Sequence, residues 1–403
     1  MRALQPLLQR GLQSLDPWLD AVFPIATALI CAKQRLAGYS LLAIYLFLRL
    51  LQRSDQEPWR WILISLLVVN AGMIVEDRDL KPGGPSDYLI VALSFAAALQ
   101  RSNKQWRRSI TWMASSIIPL ITFSLAAGNQ LIQADTISFT GFNINRLGFL
   151  AGFLIISSYS LSKLVDSRFG LIFSFLLTAA SIAEAILTQS RSSLAVPALT
   201  IAVNEIATIR WSPKRLCLAF IFFLIIGSSL VQLWYGEGNP GGHGNRIADG
   251  NRIETIRCWI RNTSASQENL AFGVGYGKAM QKMCTPEKIK SIAERDKPLA
   301  HAHNLYVQIL AEAGLPGLIL FIFLTIQALR HAWRAKASPL RPFTKPLTLY
   351  LTLMALGATW HSMMINQVLV GYSLAALTAV DPDPCVADAT IPKTQPTATA
   401  PQG

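Results

Sequence analysis

The sequence predicts an all-α polytopic membrane protein of about twelve transmembrane helices, with one long, partly helical segment outside the bilayer. Three observations predict it. Hydrophobic residues make up 52% of the 403 and charged residues only 15%, against roughly 25% charged in an ordinary soluble domain. The mean hydropathy is +0.37. The apolar residues are bunched: 216–235 read LCLAFIFFLIIGSSLVQLWY without a charge, which matches the roughly 20 residues a helix needs to cross the bilayer core. Residues 61–75 read WILISLLVVNAGMIV. A soluble enzyme and a disordered chain are both excluded.

The spans are expected near 17–32, 36–51, 60–75, 86–100, 109–127, 147–162, 169–187, 192–209, 216–235, 304–328, 346–361 and 362–380. Residues 1–235 thus hold helices one to nine, 236–303 the long outer loop and 304–380 helices ten to twelve. Residues 381–403, rich in Pro, Thr and Ala, form a disordered tail. The first twenty residues lack an apolar core followed by a small-residue cleavage site, so no cleavable signal peptide is expected.

The net charge of +13 falls mostly in short groups between apolar runs, not on one soluble face as nucleic-acid binding requires. One alternating set of connections holds 17 Lys and Arg, including Arg49, Arg101, Arg108, Lys163, Arg334 and Lys345. The other set, leaving out the long loop, holds 6, including Arg146 and Arg191. The positive-inside bias makes the first side cytoplasmic. Both termini are then cytoplasmic, and 236–303 lies outside. That loop carries ten basic and seven acidic residues, with apolar positions Ile253, Ile256, Trp259 and Ile260 at helical spacing. Its two cysteines, Cys258 and Cys284, could bond in an oxidising compartment.

The chemistry concentrates where the loop enters the tenth span. His301 and His303 stand two apart, followed by Asn304. A neutral imidazole at the water–lipid boundary can take a proton from a hydroxyl, as a general base does. Two histidines could also ligate a metal, but no third His or Cys stands near them in sequence. A Ser-His-Asp hydrolase lacks its G-x-S-x-G elbow. Glu312 follows inside the span, where a carboxylate is costly and more often paired or functional than idle. Gly314 and Gly317 allow close helix packing.

Arginines form the second element. Arg191, in a tight turn between two spans, is either a snorkelling interfacial cation or an anion ligand. Arg252 is either a solvated helix charge or an anion ligand. Guanidinium offers a planar fork of donors that fits phosphate and stays charged. Arg257, five residues after Arg252, points elsewhere on a regular helix, and Arg146 starts the sixth span on the same outer side. If a diphosphate is handled here, arginine and not a metal ion is expected to neutralise it.

His303-Asn304, nine residues, then Gly314-Leu315-Pro316-Gly317 resembles the H-[NSQ]-x9-G-x-x-[GTY] signature of bacterial O-antigen ligases. Arg252 followed by Phe272-Gly273-Val274-Gly275-Tyr276-Gly277 and the His-Asn pair resembles the motif order of the wider ligase and polymerase superfamily. Ile256 stands where a Trp often follows that Arg, which keeps Arg257 as an alternative to Arg252.

The resemblance implies a GT-C-like, metal-independent and cofactor-free glycosyltransferase of the bacterial inner membrane. It would join a glycan carried on undecaprenyl pyrophosphate to lipid A–core oligosaccharide at the periplasmic face, during lipopolysaccharide biosynthesis. By position, His303 would be the base or acceptor activator. Arg191, Arg252 and Arg257 would bind the donor pyrophosphate, with His301, Asn304, Arg146 and Glu312 in support. The expected partners are these two lipid-anchored substrates and membrane lipids, with no nucleic acid. The rivals are an O-antigen polymerase, a protein O-oligosaccharyltransferase, and a transporter lined by Glu184, Glu312 and Asn70. No internal repeat supports the last.

Overall fold

The computed structural model describes residues 18–32, 34–51, 91, 93–95, 97–98, 101–127, 144–187, 191–206, 248–275, 302, 304–334, 338–357 and 364–378. The protein is an all-α membrane protein, and no strand occurs among the described residues. The helices are α1 (Val22–Cys31), α2 (Arg35–Leu51), α3 (Asn103–Ser115), α4 (Ile117–Ala127), α5 (Ile144–Leu164), α6 (Arg168–Leu187), α7 (Arg191–Ile206), α8 (Ala248–Ser264), α9 (Gln267–Phe272), α10 (Leu305–Arg334), α11 (Arg341–Gly357) and α12 (Met364–Thr378). Helical residues occur in ten of the twelve expected spans; 60–75 and 216–235 lie outside the described residues. Among the described residues, three stretches are long and apolar enough to cross a membrane by length and composition: α3 with α4, α6, and α10.

Local chemistry explains several boundaries. Ser102 caps α3 reciprocally: its hydroxyl accepts from Gln105 N at 3.3 Å, and its own N–H donates to Gln105 Oε1 at 2.9 Å. Two orphan donors of the first turn are thereby satisfied. Ser116 interrupts the span between α3 and α4 with a turn. The outward faces stay apolar. Phe169, Ile172 and Phe175 of α6 are 79%, 61% and 72% exposed, and Ile319, Leu320 and Phe323 of α10 exceed half. In water such a belt would be an aggregation surface; against acyl chains it is the expected coat.

The polar contacts sort by end. Arg49 at the end of α2, Arg101 before α3, and Ser109 in α3 all converge on wholly buried Asp20, just ahead of α1. Arg49 Nη2 lies 2.7 Å and Arg101 Nη2 3.0 Å from Asp20 Oδ1, while Ser109 Oγ donates to Oδ2 at 2.6 Å. Tyr45 donates to the same carboxylate at 2.7 Å and also bonds Tyr372 of α12. The Arg101 guanidinium lies 5.0 Å from the Tyr372 ring centroid. At this end, too, Lys163 of α5 pairs with Glu205 of α7 at 3.1 Å, and Lys345 of α11 sits 5.0 Å from the Trp333 ring of α10. These residues, apart from Tyr45 and Tyr372 further inside their helices, belong to the connections, or adjoin the helix ends, that the sequence assigns to one side of the membrane. We call this the basic end and the other the loop end.

Candidate active site

Helix registers place the loop-end positions in depth. α5 and α7 run parallel, level at the Lys163–Glu205 pair. Counting back at about 1.5 Å per residue puts positions 146 and 191 about 25 and 21 Å away, within roughly one turn of each other. Tyr350 of α11 donates to the Phe149 carbonyl of α5 at 2.8 Å. Leu356 lies six residues further toward the loop end, about 9 Å on, and so passes the depth of position 146 by about one turn. Asn304 Nδ2 donates to the Leu356 carbonyl at 3.0 Å. Positions 146, 191 and 304 therefore fall within a layer roughly 9 Å deep at the loop end. Arg146 and Arg191 lie on the first turns of α5 and α7, whose N-terminal amides face that layer. The side chains of Arg146, Arg191 and Arg252, and all of His301 and His303, lie outside the described residues.

The tenth span does not have the shape expected for it. A straight helix over 304–328 would hold Tyr306 and Phe321 about 22 Å apart. Their ring centroids are 5.2 Å apart, packed edge to face. The helix reverses at Gly314 (φ 70, ψ −171) into two arms, 305–313 and 315–334. Gly314 holds a backbone shape that an L side chain rarely adopts. A Cβ there would also meet the Ala271 carbonyl oxygen at 2.6 Å. Pro316 then restarts the helix in the first turn, where its missing N–H costs nothing. At Gly317 a Cβ would lie 2.4 Å from Ala313 Cβ. The two glycines expected to allow packing against other helices instead allow a corner and the close approach of its own arms.

The loop docks on that corner. α8 and α9 pack against α10. After α9, Gly273 (φ 76) turns the chain so that Val274 N donates to Ala311 O at 2.8 Å and Gly275 N to Glu312 O at 3.1 Å. A Cβ on Gly273 would stand 2.3 Å from the Glu312 oxygen. These amides satisfy carbonyls that the end of the first arm would otherwise leave unpaired. The glycines of the Gly273-Val274-Gly275 run thus clamp loop to corner, a use the sequence reading missed. Only their number near Gly314 hinted at it.

Asn304 caps the first arm. Its Oδ1 accepts from Val307 N at 3.1 Å and its main-chain carbonyl from Gln308 N at 3.0 Å. One turn on, wholly buried Gln308 donates to Glu312 Oε1 at 2.9 Å, and Glu312 is 2% exposed. Glu312 is thus paired inside the arm, as a carboxylate at this depth demands. On α8, Trp259 is wholly buried and Thr263 almost so, while Arg257 is exposed. Position 252 is seven residues, about two turns, before Trp259 on the same helix. Cys258 is disulfide-bonded, with a partner outside the described residues, as is Cys284. Among the described residues no group of three metal-type ligands occurs.

Residues 174–322 match the family model described as O-antigen ligase. This region is of the O-antigen ligase type. The match starts in α6, contains Arg191, the loop and His303, and ends beyond the Gly314 corner. The match supports a likeness of this region to the O-antigen ligase and polymerase superfamily. No curated protein matches the chain. Arg146, α11 and α12 lie outside the O-antigen ligase region, although α11 supplies the carbonyl that Asn304 holds.

Proposed function

We propose that the protein is an O-antigen ligase. It transfers a glycan from undecaprenyl pyrophosphate to a lipid A–core hydroxyl at the outer face of the bacterial inner membrane. The observation that carries this reading is the single layer holding positions 146, 191 and 304, inside or beside the matched region. His303 adjoins that layer by one peptide bond. The disulfide at Cys258 fits an oxidising compartment on the loop side.

The acceptor oxygen attacks the anomeric carbon and forms the new glycosidic bond. The bond from that carbon to the pyrophosphate breaks, and its electron pair leaves with the diphosphate. The hydroxyl proton passes to the His303 imidazole, and the configuration inverts in this single displacement. Arg191 and Arg252 hold the diphosphate and stabilise its growing charge. The helix N-termini at 144 and 191 add favourable partial charge for an anion. Arg257, exposed on the far face of α8, is the weaker candidate.

The test is genetic and biochemical together. Deletion should remove the whole lipopolysaccharide ladder and leave polymer on the lipid carrier. A core bearing one repeat unit would instead make the protein a polymerase. In membranes, His303→Ala should lose about 10²–10⁴-fold in transfer at normal expression; a wild-type rate in that variant refutes the role of the imidazole.

A further inference from the structure

We propose that Asn304 is a positioning residue that sets the place of His303 by clasping the end of α11. This rests on the ligase reading above. The first arm of α10 hangs from the corner, where Gly273, Val274 and Gly275 grip its upper end. Its foot is held separately. There the Asn304 amide spends both ends: Oδ1 accepts from Val307 N, and Nδ2 donates to Leu356 O. The partners fix the amide's orientation, because a main-chain N–H only donates and a carbonyl only accepts. The bond to Leu356 also satisfies one of the last carbonyls of α11. Nearby, Tyr306 packs on Phe321 and Leu305 on Ala355, so the foot is steadied by apolar contacts that would survive loss of the amide. His303 precedes Asn304 by one peptide bond, so what fixes the foot fixes the point from which His303 departs.

The two jobs of Asn304 separate by substitution. Asp and Ser cap helices as well as Asn does, but a carboxylate cannot donate to Leu356 O, and a seryl hydroxyl engaged in the cap does not span to it. Asn304→Asp and Asn304→Ser are measured in the full-length protein in lipid nanodiscs, with lipid-linked donor and lipid A–core acceptor, alongside His303→Ala. Expected are an unchanged melting midpoint, a donor KM within about twofold of wild type, and a kcat lower by roughly tenfold to a hundredfold, the scale for an ångström of misplacement. Both variants turning over at the wild-type rate would overturn the clasp, as would a loss of kcat matched by an equal loss of folded protein. Wild-type protein without transfer in this assay would instead sink the ligase reading, and an active His303→Ala would overturn the proposal by removing the imidazole that the clasp positions; an inactive one beside two normal Asn304 variants would sink the clasp alone.

Discussion

Asp20 is wholly buried and is the only acid in its cluster among the described residues, with Arg49 and Arg101 both within ion-pair distance. Removing that charge strands two guanidinium groups in an apolar interior. Asp20→Asn should therefore cost on the order of 3–5 kcal/mol, read as a lower melting midpoint in detergent, while Asp166→Asn, at a side chain 96% exposed, should be near neutral. Nothing in the local sequence around Leu19-Asp20-Ala21 announced this role, because its partners come from residues 29 and 81 positions away. The His303-Asn304 pair, in contrast, was legible at once: two polar residues at the edge of a long apolar run are conspicuous. What Asn304 holds was not, since a main-chain carbonyl 52 residues on leaves no mark in side-chain chemistry.

At the scale of elements, the apolar runs located the helices well because a membrane span must satisfy its own backbone and present an apolar surface. The expected tenth span is the exception. Its residues are apolar enough to read as one continuous helix, and averaging over a window hides a reversal made by one glycine. The corner is held by backbone contacts with no slack. Gly314→Ala and Gly273→Ala should each release the loop from the corner and abolish transfer with membrane insertion intact. Protease digestion should then cut between 248 and 300 faster than in wild type, while Leu315→Ala, at a residue 45% exposed, should be protected normally. Equal protection in all three would mean that the loop is held elsewhere.

Across the whole molecule, basic residues assigned to one side by counting loops are found together at one end of the helices, with the first turns of α5 and α7 and the foot of the first arm at the other. Charge alternation was readable because each connection contributes a few residues that cannot hide in lipid. The packing order of the helices was not, since a lipid-facing and a buried helix face are equally apolar. The proposed orientation has a direct check. In intact cells, a membrane-impermeant maleimide should label Ile260→Cys, compared with the parent chain, and should reach Asp166→Cys only after lysis; the opposite pattern inverts the topology.

The reversal at Gly314 also gives meaning to a number. Gly314 stands ten positions after Asn304, so the arm is a ruler about 15 Å long, calibrated in steps of roughly 1.5 Å and 100°. Insert one residue and the foot both drops and swings to another face, missing Leu356 and carrying the preceding histidine with it. A fixed interval of nine residues in the signature is then a length specification, indifferent to which apolar side chains fill it.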